Sequence, residues 1–191
     1  MRREVASRGF FARDAAEVAP DLLGCTVHGD GVTVRITEVE AYRWDDEASH
    51  AFRGPTPANG TMFGPPGHLY VYFTYGMHYC ANLVCDREGR GAGVLLRAAE
   101  VTGGVERARE RRGERVPFRD LARGPARLAQ AMGWSRADDG TDMDGRILSP
   151  VEPVAVEAGL RVGVRKAADT PWRFWIPGDR YVSDYKRHPK A

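Results

Sequence analysis

The stretch that most constrains the fold is residues 69–82, LYVYFTYGMHYCAN, which has the pattern of two strands joined by a tight turn. Apolar residues at positions 69, 71 and 73 alternate with Tyr or Thr, the period of two that a pleated strand imposes. The alternation stops at residues 75–78, and β-forming residues resume at Tyr79. Gly76 supplies the positive φ that a short hairpin requires. The segment therefore predicts a β-hairpin.

The tip of this hairpin has an unusual composition. Tyr75 and Met77 flank Gly76, whereas exposed turns usually carry Asn, Asp, Ser or Gly. An apolar, aromatic tip is suited to act as a wedge that enters between base steps from the DNA minor groove. Alternatively, both side chains fold back and pack on the sheet. The residues alone leave both interpretations open.

A second strand, predicted over residues 32–42, carries two acidic residues. Even positions share one face of a strand, and those at 32, 34 and 36 are Val or Ile. This pattern predicts that Glu38 and Glu40 lie on the core side of the sheet. Burying a carboxylate is costly unless it is paired or hydrogen-bonded. Either the two carboxylates meet arginines at a frayed strand end, or the strand delivers an acid into a pocket.

The segments between these strands predict irregular structure. Residues 45–50 resemble a capped helical turn that ends on His50. Residues 54–67 contain four Pro and four Gly and predict an irregular loop that leads into the hairpin. Residues 94–98 predict a buried strand that carries Arg97, a charge that requires a partner.

The C-terminal half predicts helices first and short strands later. Gly124 and Pro125 predict the start of a helix, whose free N–H groups beside Arg123 and Arg127 form a candidate phosphate-binding end. Short strands are predicted around residues 160–164 and 173–176. The basic segment 186–191 is predicted to be mobile.

Length and composition indicate one soluble globular domain over residues 1–191, with 42% hydrophobic and 28% charged residues. The net charge of +2 permits a local nucleic-acid contact without requiring one. Three cysteines without CxxC spacing predict buried, reduced thiols. No apolar run suits a membrane span or a signal peptide, which predicts a cytoplasmic protein, associated with the nucleoid if bacterial. No motif suggests a metal or an organic cofactor.

Several motifs together resemble one family. They are ITEVEAY, the following His50, HLYVYFTYGMHYCAN, GVLLRA, RGPARL and RVGV, in order over almost the whole chain. These strings are similar to those of the alkyladenine (3-methyladenine) DNA glycosylases of the mammalian type, which excise alkylated purines. The resemblance implies a single-domain α+β fold, with a curved, mainly antiparallel sheet ringed by helices. It also implies that the hairpin inserts into the minor groove of double-stranded DNA that contains damaged purines.

The resemblance also implies roles for residues that contact DNA. Tyr75 matches the residue that fills the gap left by the flipped nucleotide, with Met77 beside it. Asn82 matches the pocket residue that crowds the 2-amino group of guanine. Three residues match the walls that sandwich the extruded base: Tyr42, His50 and Tyr72. The loop before His50 is one residue shorter than in the mammalian pattern, and Arg127 replaces a lysine.

The chemistry implied by the resemblance is hydrolysis of the N-glycosidic bond. Glu40 matches the general base, and Arg97 and the backbone carbonyl of Val162 match the groups that help to hold its water. No lysine matches a Schiff-base position, which implies a monofunctional enzyme, expected to be a monomer. Two other functions stay open: a lesion-binding protein without catalysis, and an enzyme acting on small molecules or RNA with the same scaffold.

Overall fold

One eight-stranded sheet organises the computed structural model, which describes residues 6–191. The strands are β1 Thr26–His28, β2 Thr33–Tyr42, β3 Leu69–Thr74, β4 His78–Val84, β5 Gly93–Gly103, β6 Ile147–Leu148, β7 Glu157–Gly159 and β8 Arg173–Trp175. The main path has the order β3-β4-β5-β2-β1-β6, while β8 pairs with both β2 and β7. Every pair of these strands is antiparallel. The predicted α+β class, with a mainly antiparallel sheet in a single domain, is confirmed.

Within residues 6–191, four α-helices accompany the sheet: α1 Arg8–Phe11, α2 Ala15–Asp21, α3 Val105–Arg112 and α4 Pro125–Met132. The side chain of Asp14 caps α2 by accepting a hydrogen bond from the Ala16 N–H at 2.9 Å. Pro125 occupies the first turn of α4, and Gly133, with φ of 76°, ends that helix. The predicted start of α4 is therefore confirmed.

The two faces of the sheet have different compositions. Apolar side chains of all the central strands form one core with α2 and α4, and Val39, Leu83 and Leu96 are among its buried members. The opposite face carries polar and aromatic side chains. The segregation places the hydrophobic core on one side of the sheet and leaves the other side for a pocket.

The predicted face of Glu38 and Glu40 is wrong. The register between β2 and β5 shifts on both sides of Glu38, so that Thr37 is an extra residue in β2. A bulge of this kind inverts the alternation of side chains beyond it. The core face therefore continues at Val39, and the two carboxylates lie on the opposite face, although both are fully buried as expected.

Other predictions of secondary structure have mixed outcomes. The capped turn predicted over residues 45–50 is present as a turn, in which the Ser49 N–H donates to the Asp46 carbonyl oxygen at 2.8 Å and the Ala48 N–H donates to the Asp46 side chain at 3.0 Å. Residues 160–164 are not a strand, because β7 ends at Gly159. The segment 54–67 is irregular as predicted, apart from a 3-10 helical turn at Gly60–Phe63.

The burial of the three cysteines agrees with the prediction of buried thiols. Cys25, Cys80 and Cys85 are buried and form no disulfide. Within residues 6–191, no helix has the length and apolarity needed to cross a membrane. The same residues contain no group of three His, Cys, Asp or Glu side chains placed to hold a metal ion.

Candidate active site

A row of facing residues crosses the polar face of the sheet. Tyr70 of β3 faces Asn82 of β4, which faces Leu95 of β5. Leu95 in turn faces Glu40 of β2, and Glu40 faces Arg173 of β8. A cavity of about 560 Å³ lies against this face. The antiparallel register thus places residues from four strands, β2, β3, β4 and β5, beside one cavity.

Most of the predicted site residues line this cavity. They are Glu40, Tyr42, His50, Tyr72, Tyr75, Asn82, Arg97 and Val162. Three others do not belong to its lining: Met77, Arg123 and Arg127. The structure therefore brings together three groups that the resemblance implies. They are the general base Glu40, the aromatic walls and Asn82, the residue expected to exclude guanine.

The Glu40 carboxylate is held by three donors and has no exposed surface. One oxygen, Oε1, accepts from the Val162 N–H at 2.7 Å and lies 3.3 Å from Arg97 Nη1. The other, Oε2, accepts from the Tyr42 hydroxyl at 2.8 Å. Since a carboxylate oxygen has two acceptor sites, Oε2 retains one acceptor site beyond its bond to Tyr42. The contact of Val162 with this site is through its N–H, and the role of its carbonyl stays a prediction.

A second buried carboxylate, Glu38, holds Arg97 in place. Its Oε1 accepts from Arg97 Nε at 2.8 Å and from Arg173 Nε at 2.7 Å, and its Oε2 accepts from the Ser183 N–H at 2.7 Å. Burial alone would raise the pKa of Glu38, but the Arg97 charge, the Ser183 N–H and the Arg173 charge lower it. Glu38 is therefore an anion that fixes the arginine beside Glu40.

Three aromatic rings form one wall of the cavity. The rings of His50 and Tyr72 meet edge to face with centroids 4.5 Å apart, and Tyr70 stacks on Tyr72 at 5.6 Å. His50 Nδ1 lies 3.4 Å from the Tyr70 hydroxyl. Packing of its ring away from water lowers the pKa of His50, although the residue is partly exposed, and burial raises the pKa of Tyr70 to about 12. Both rings are thus neutral at pH 7. Sequence reasoning missed Tyr70, although its alternation with Tyr72 is a signal for a shared face.

Tyr42 is supported from behind by an arginine that sequence reasoning also missed. The Arg161 guanidinium carbon lies 4.8 Å from the Tyr42 ring centroid and 5.5 Å from that of Trp172. Arg161 forms a fully buried ion pair with Asp46 and donates to the Ala41 carbonyl oxygen at 3.0 Å. The pair joins the end of β2 to the loop that carries His50 and to the segment that carries Val162.

The hairpin tip projects into solvent. Tyr75 and Gly76 have φ of 51° and 65°, and the Met77 N–H donates to the Thr74 carbonyl oxygen at 3.1 Å. Two successive positive φ angles match the type I′ turn, whose twist suits a hairpin. Tyr75 is 86% exposed and Met77 is 69% exposed. The alternative in which both side chains pack on the sheet is therefore wrong.

Comparison with known proteins fits this geometry. The sequence profile of the methylpurine-DNA glycosylase family matches residues 9–180. The chain belongs to this family. A relative from Burkholderia cenocepacia is 51% identical, covering 94% of this chain and 91% of its own length. Another, from Streptomyces avermitilis, is 50% identical, covering 97% and 94% respectively. Both carry the name "Putative 3-methyladenine DNA glycosylase".

Membership of the methylpurine-DNA glycosylase family confirms the inferred resemblance and the enzyme class. The chain is a DNA glycosylase, a hydrolase of N-glycosidic bonds that acts in DNA repair, and DNA is its partner.

Two residues predicted to contact the DNA backbone have different surroundings in this glycosylase. Arg123 donates to the Val182 carbonyl oxygen at 2.8 Å and to Asp184 at 2.7 Å, so its guanidinium is already bound within the chain. Arg127 is about half exposed and lies 3.9 Å from Asp120. Their contact with DNA stays a prediction.

Among the described residues, the lysine that lines the cavity is Lys166. Lys166 belongs to the segment that follows Val162, and its Nζ lies 3.5 Å from a carboxylate oxygen of Glu47. The two side chains are 53% and 57% exposed, so the pair lies at the mouth rather than at the buried carboxylate. A test of the expectation that no lysine forms a Schiff base must therefore include a variant of Lys166.

Proposed function

We propose that this chain is a monofunctional DNA glycosylase of base excision repair, which extrudes damaged purines from duplex DNA and hydrolyses their N-glycosidic bond. The substrate class comprises alkylated and deaminated purines, namely 3-methyladenine, 7-methylguanine, ethenoadenine and hypoxanthine. One observation carries the proposal. A buried carboxylate, Glu40, faces a cavity with aromatic walls, and an exposed tyrosine, Tyr75, stands at its mouth.

Catalysis in this cavity requires the nucleotide to be flipped out of the duplex. The reacting C1′ carbon is inaccessible while the nucleotide is stacked, so the nucleotide must leave the duplex at a cost of a few kcal/mol. Stacking on an aromatic ring returns about 1–3 kcal/mol per base. Tyr42, Tyr72 and His50 around the base, with Tyr75 in the vacated gap, are together sufficient to offset extrusion.

The walls also favour charged lesions. Purines such as 3-methyladenine and 7-methylguanine are cations, and a cation is attracted to the face of an electron-rich ring. The lowered pKa of His50 keeps its imidazole neutral at pH 7, so this wall does not repel a cationic base. The same cavity therefore binds an alkylated purine better than a neutral adenine.

The chemical step requires an oriented and activated water. Glu40 accepts the proton of this water as a general base, and its charge stabilises the oxocarbenium-like sugar in the transition state. Tyr42, Val162 and Arg97 fix the carboxylate, so that little reorganisation is needed when the water attacks. The alkylated base is already a good leaving group, which makes the water the main requirement.

Rejection of normal guanine is assigned to Asn82. Guanine differs from hypoxanthine by its 2-amino group, and a stacking wall binds both purines almost equally. Asn82 is 5% exposed, lines the cavity and donates to the Tyr70 carbonyl oxygen at 3.4 Å. A fixed side chain there excludes the amino group or leaves it without a partner, at a cost of about 1–3 kcal/mol.

The decisive experiment uses a duplex that carries one hypoxanthine or one ethenoadenine, assayed for abasic sites with excess enzyme. Glu40→Gln should bind this duplex and lose excision, while Glu47→Gln at the exposed mouth serves as the matched control. Binding without excision by the wild-type chain would instead indicate a lesion-binding protein. Absence of binding to any duplex would favour an enzyme acting on small molecules or RNA.

Monofunctional chemistry has its own test. A Schiff-base mechanism would cleave the strand beside the abasic site and would be trapped covalently by borohydride. We expect neither strand cleavage nor trapping, with or without Lys166→Gln. A covalent adduct that disappears in Lys166→Gln would refute the monofunctional assignment.

The proposed enzyme is a cytoplasmic monomer, associated with the nucleoid if bacterial, and requires no cofactor. Excision that persists in the presence of a chelator would support its independence of metal ions.

A further inference from the structure

The C-terminal part of the chain concentrates its positive charge. Residues 161–191 contain eight Lys or Arg and three Asp, a net charge of +5, whereas the whole chain has a net charge of +2. The preceding 160 residues are therefore acidic overall, with a net charge of −3. Such asymmetry indicates a local basic surface, which the total charge conceals.

Hydrogen bonds place this basic part beside the cavity. We call residues 182–190 the C-terminal strap. At its start, the Ser183 N–H donates to Glu38 at 2.7 Å. Further along, the Lys186 carbonyl oxygen accepts from the Gly163 N–H at 3.0 Å. Because Gly163 lines the cavity, the strap passes directly behind the cavity rim. The mobility that the sequence predicts for residues 186–191 stays a prediction.

The acidic residues of this region are already paired. Each of the three binds an arginine: Asp169 with Arg187 at 3.0 Å, Asp179 with Arg35 at 2.7 Å, and Asp184 with Arg123 at 2.7 Å. Four exposed cations have no ion pair with any residue from 6 to 191: Arg165, Arg180, Lys186 and Lys190. The uncompensated charge of the region is therefore positive.

The position of these cations beside the cavity indicates that their binding partner is the DNA backbone. Arg165 lines the cavity mouth, which Tyr75 of the hairpin and Pro125 of α4 also line. A duplex whose nucleotide enters the cavity must pass its backbone across this mouth. DNA carries one negative charge per ~1.7 Å of helix axis, so exposed cations beside the mouth meet phosphates.

We propose that Lys186 and Lys190 of the C-terminal strap, together with Arg165, bind phosphates of the DNA strand that flanks the extruded nucleotide. The inference rests on the proposed function, because it takes the cavity as the site of the flipped base. The strap thus has two functions. Its backbone supports the cavity rim, and its side chains supply the salt-dependent part of DNA binding.

The salt dependence of binding tests this surface. The variant Lys186→Gln/Lys190→Gln removes two charges without removing any described ion pair. The control Arg107→Gln/Arg146→Gln removes two exposed charges at the far end of β2, where Arg107 contacts Asp30 at 3.4 Å. Fluorescence anisotropy with an undamaged duplex gives the slope of log Kd against log salt concentration for each protein.

Each phosphate contact contributes about 0.9 to this slope. We expect the strap variant to lower the slope by ~1.8, Arg165→Gln alone to lower it by ~0.9, and the control to leave it unchanged. A wild-type slope in both strap and Arg165 variants, or an equal fall in the control, would overturn the inference. Arg165→Gln keeps the test decisive if the strap variant has an altered thermal midpoint.

A second measurement separates this inference from the proposed function. Single-turnover excision of hypoxanthine by the wild-type chain at saturating enzyme tests the proposed function without reference to the strap. If the wild-type chain excises no lesion, the proposed function fails. The slopes on undamaged duplex still decide whether the strap binds DNA.

Discussion

Replacing Asp46 by alanine should destabilise the fold by about 3–5 kcal/mol, because it leaves a buried arginine without its counter-ion. Both side chains of the Asp46–Arg161 pair have no exposed surface. Without Asp46, the guanidinium retains the carbonyl oxygens of Ala41 at 3.0 Å and Ala167 at 3.2 Å, while its Nε already has no hydrogen-bond partner among residues 6–191. Two neutral acceptors do not replace a carboxylate in a dry interior.

The expected loss is large compared with the total stability of a domain, which is about 5–15 kcal/mol. For a chain of this size, 1 kcal/mol shifts the thermal midpoint by roughly 2–4 °C, so the midpoint should fall by ~6–20 °C. Circular dichroism during thermal and urea unfolding measures both quantities. Glu47→Ala is the control, because its pair with Lys166 is more than half exposed and contributes less than about 1 kcal/mol.

A double variant distinguishes charge from packing. Asp46→Leu/Arg161→Met removes both charges and keeps apolar volume, and such replacements of buried pairs are often neutral. We expect it to recover most of the stability lost in Asp46→Ala. A loss in Asp46→Ala no greater than that in Glu47→Ala would refute the reasoning. A double variant as unstable as the single variant would show that packing, rather than the unpaired charge, sets the cost.

Four further predictions concern the cavity. Glu40→Gln should lose single-turnover excision by at least ~100-fold while binding lesion DNA normally. Tyr75→Ala should lower the flipped fraction, seen by ethenoadenine fluorescence, because the extruded state loses about 1–3 kcal/mol. Asn82→Ser should gain excision of guanine from a G·T mispair and keep its activity on hypoxanthine. Because burial depresses the pKa of His50 below 6.5, its ring becomes cationic only as the pH falls through that lower value. Excision of 7-methylguanine should decline over the same pH range, because a cationic ring repels a cationic base. The decline should be less steep in His50→Phe.

Specific outcomes would contradict these predictions. Near wild-type excision by Glu40→Gln would exclude Glu40 as the general base. Unchanged fluorescence in Tyr75→Ala would show that the ring does not occupy the vacated gap. An intact G·T mispair with Asn82→Ser would exclude this residue as the gate. Identical pH profiles for wild type and His50→Phe would assign the decline to another group.

Local chemistry in the sequence determined the hairpin and the start of α4. The period of two, the glycine at the turn and the proline at the first helical turn act within a few residues, so they can be read without the rest of the chain. Exposure of Tyr75 and Met77 was left open by the sequence, because it depends on what lies near the tip. The structure resolves it in favour of a projecting tip.

The roles of the cavity residues came from resemblance to a family rather than from periodicity. Periodicity placed Glu38 and Glu40 on the wrong face of β2. The error arose because the bulge at Thr37 depends on the pairing of β2 with β5, a strand more than fifty residues further along the chain. A rule based on one strand cannot detect an extra residue that only its partner strand defines.

The supports of the site were decided by tertiary structure alone. Arg161 and Asp46 are 115 residues apart in sequence, and Glu38 is 135 residues from Arg173. A charge in the sequence indicates that a partner is needed when the side chain is buried, but not which of many opposite charges it will be. Only the folded sheet brings these pairs together, since hydrophobic packing fixes the distances within which ion pairs and hydrogen bonds can form.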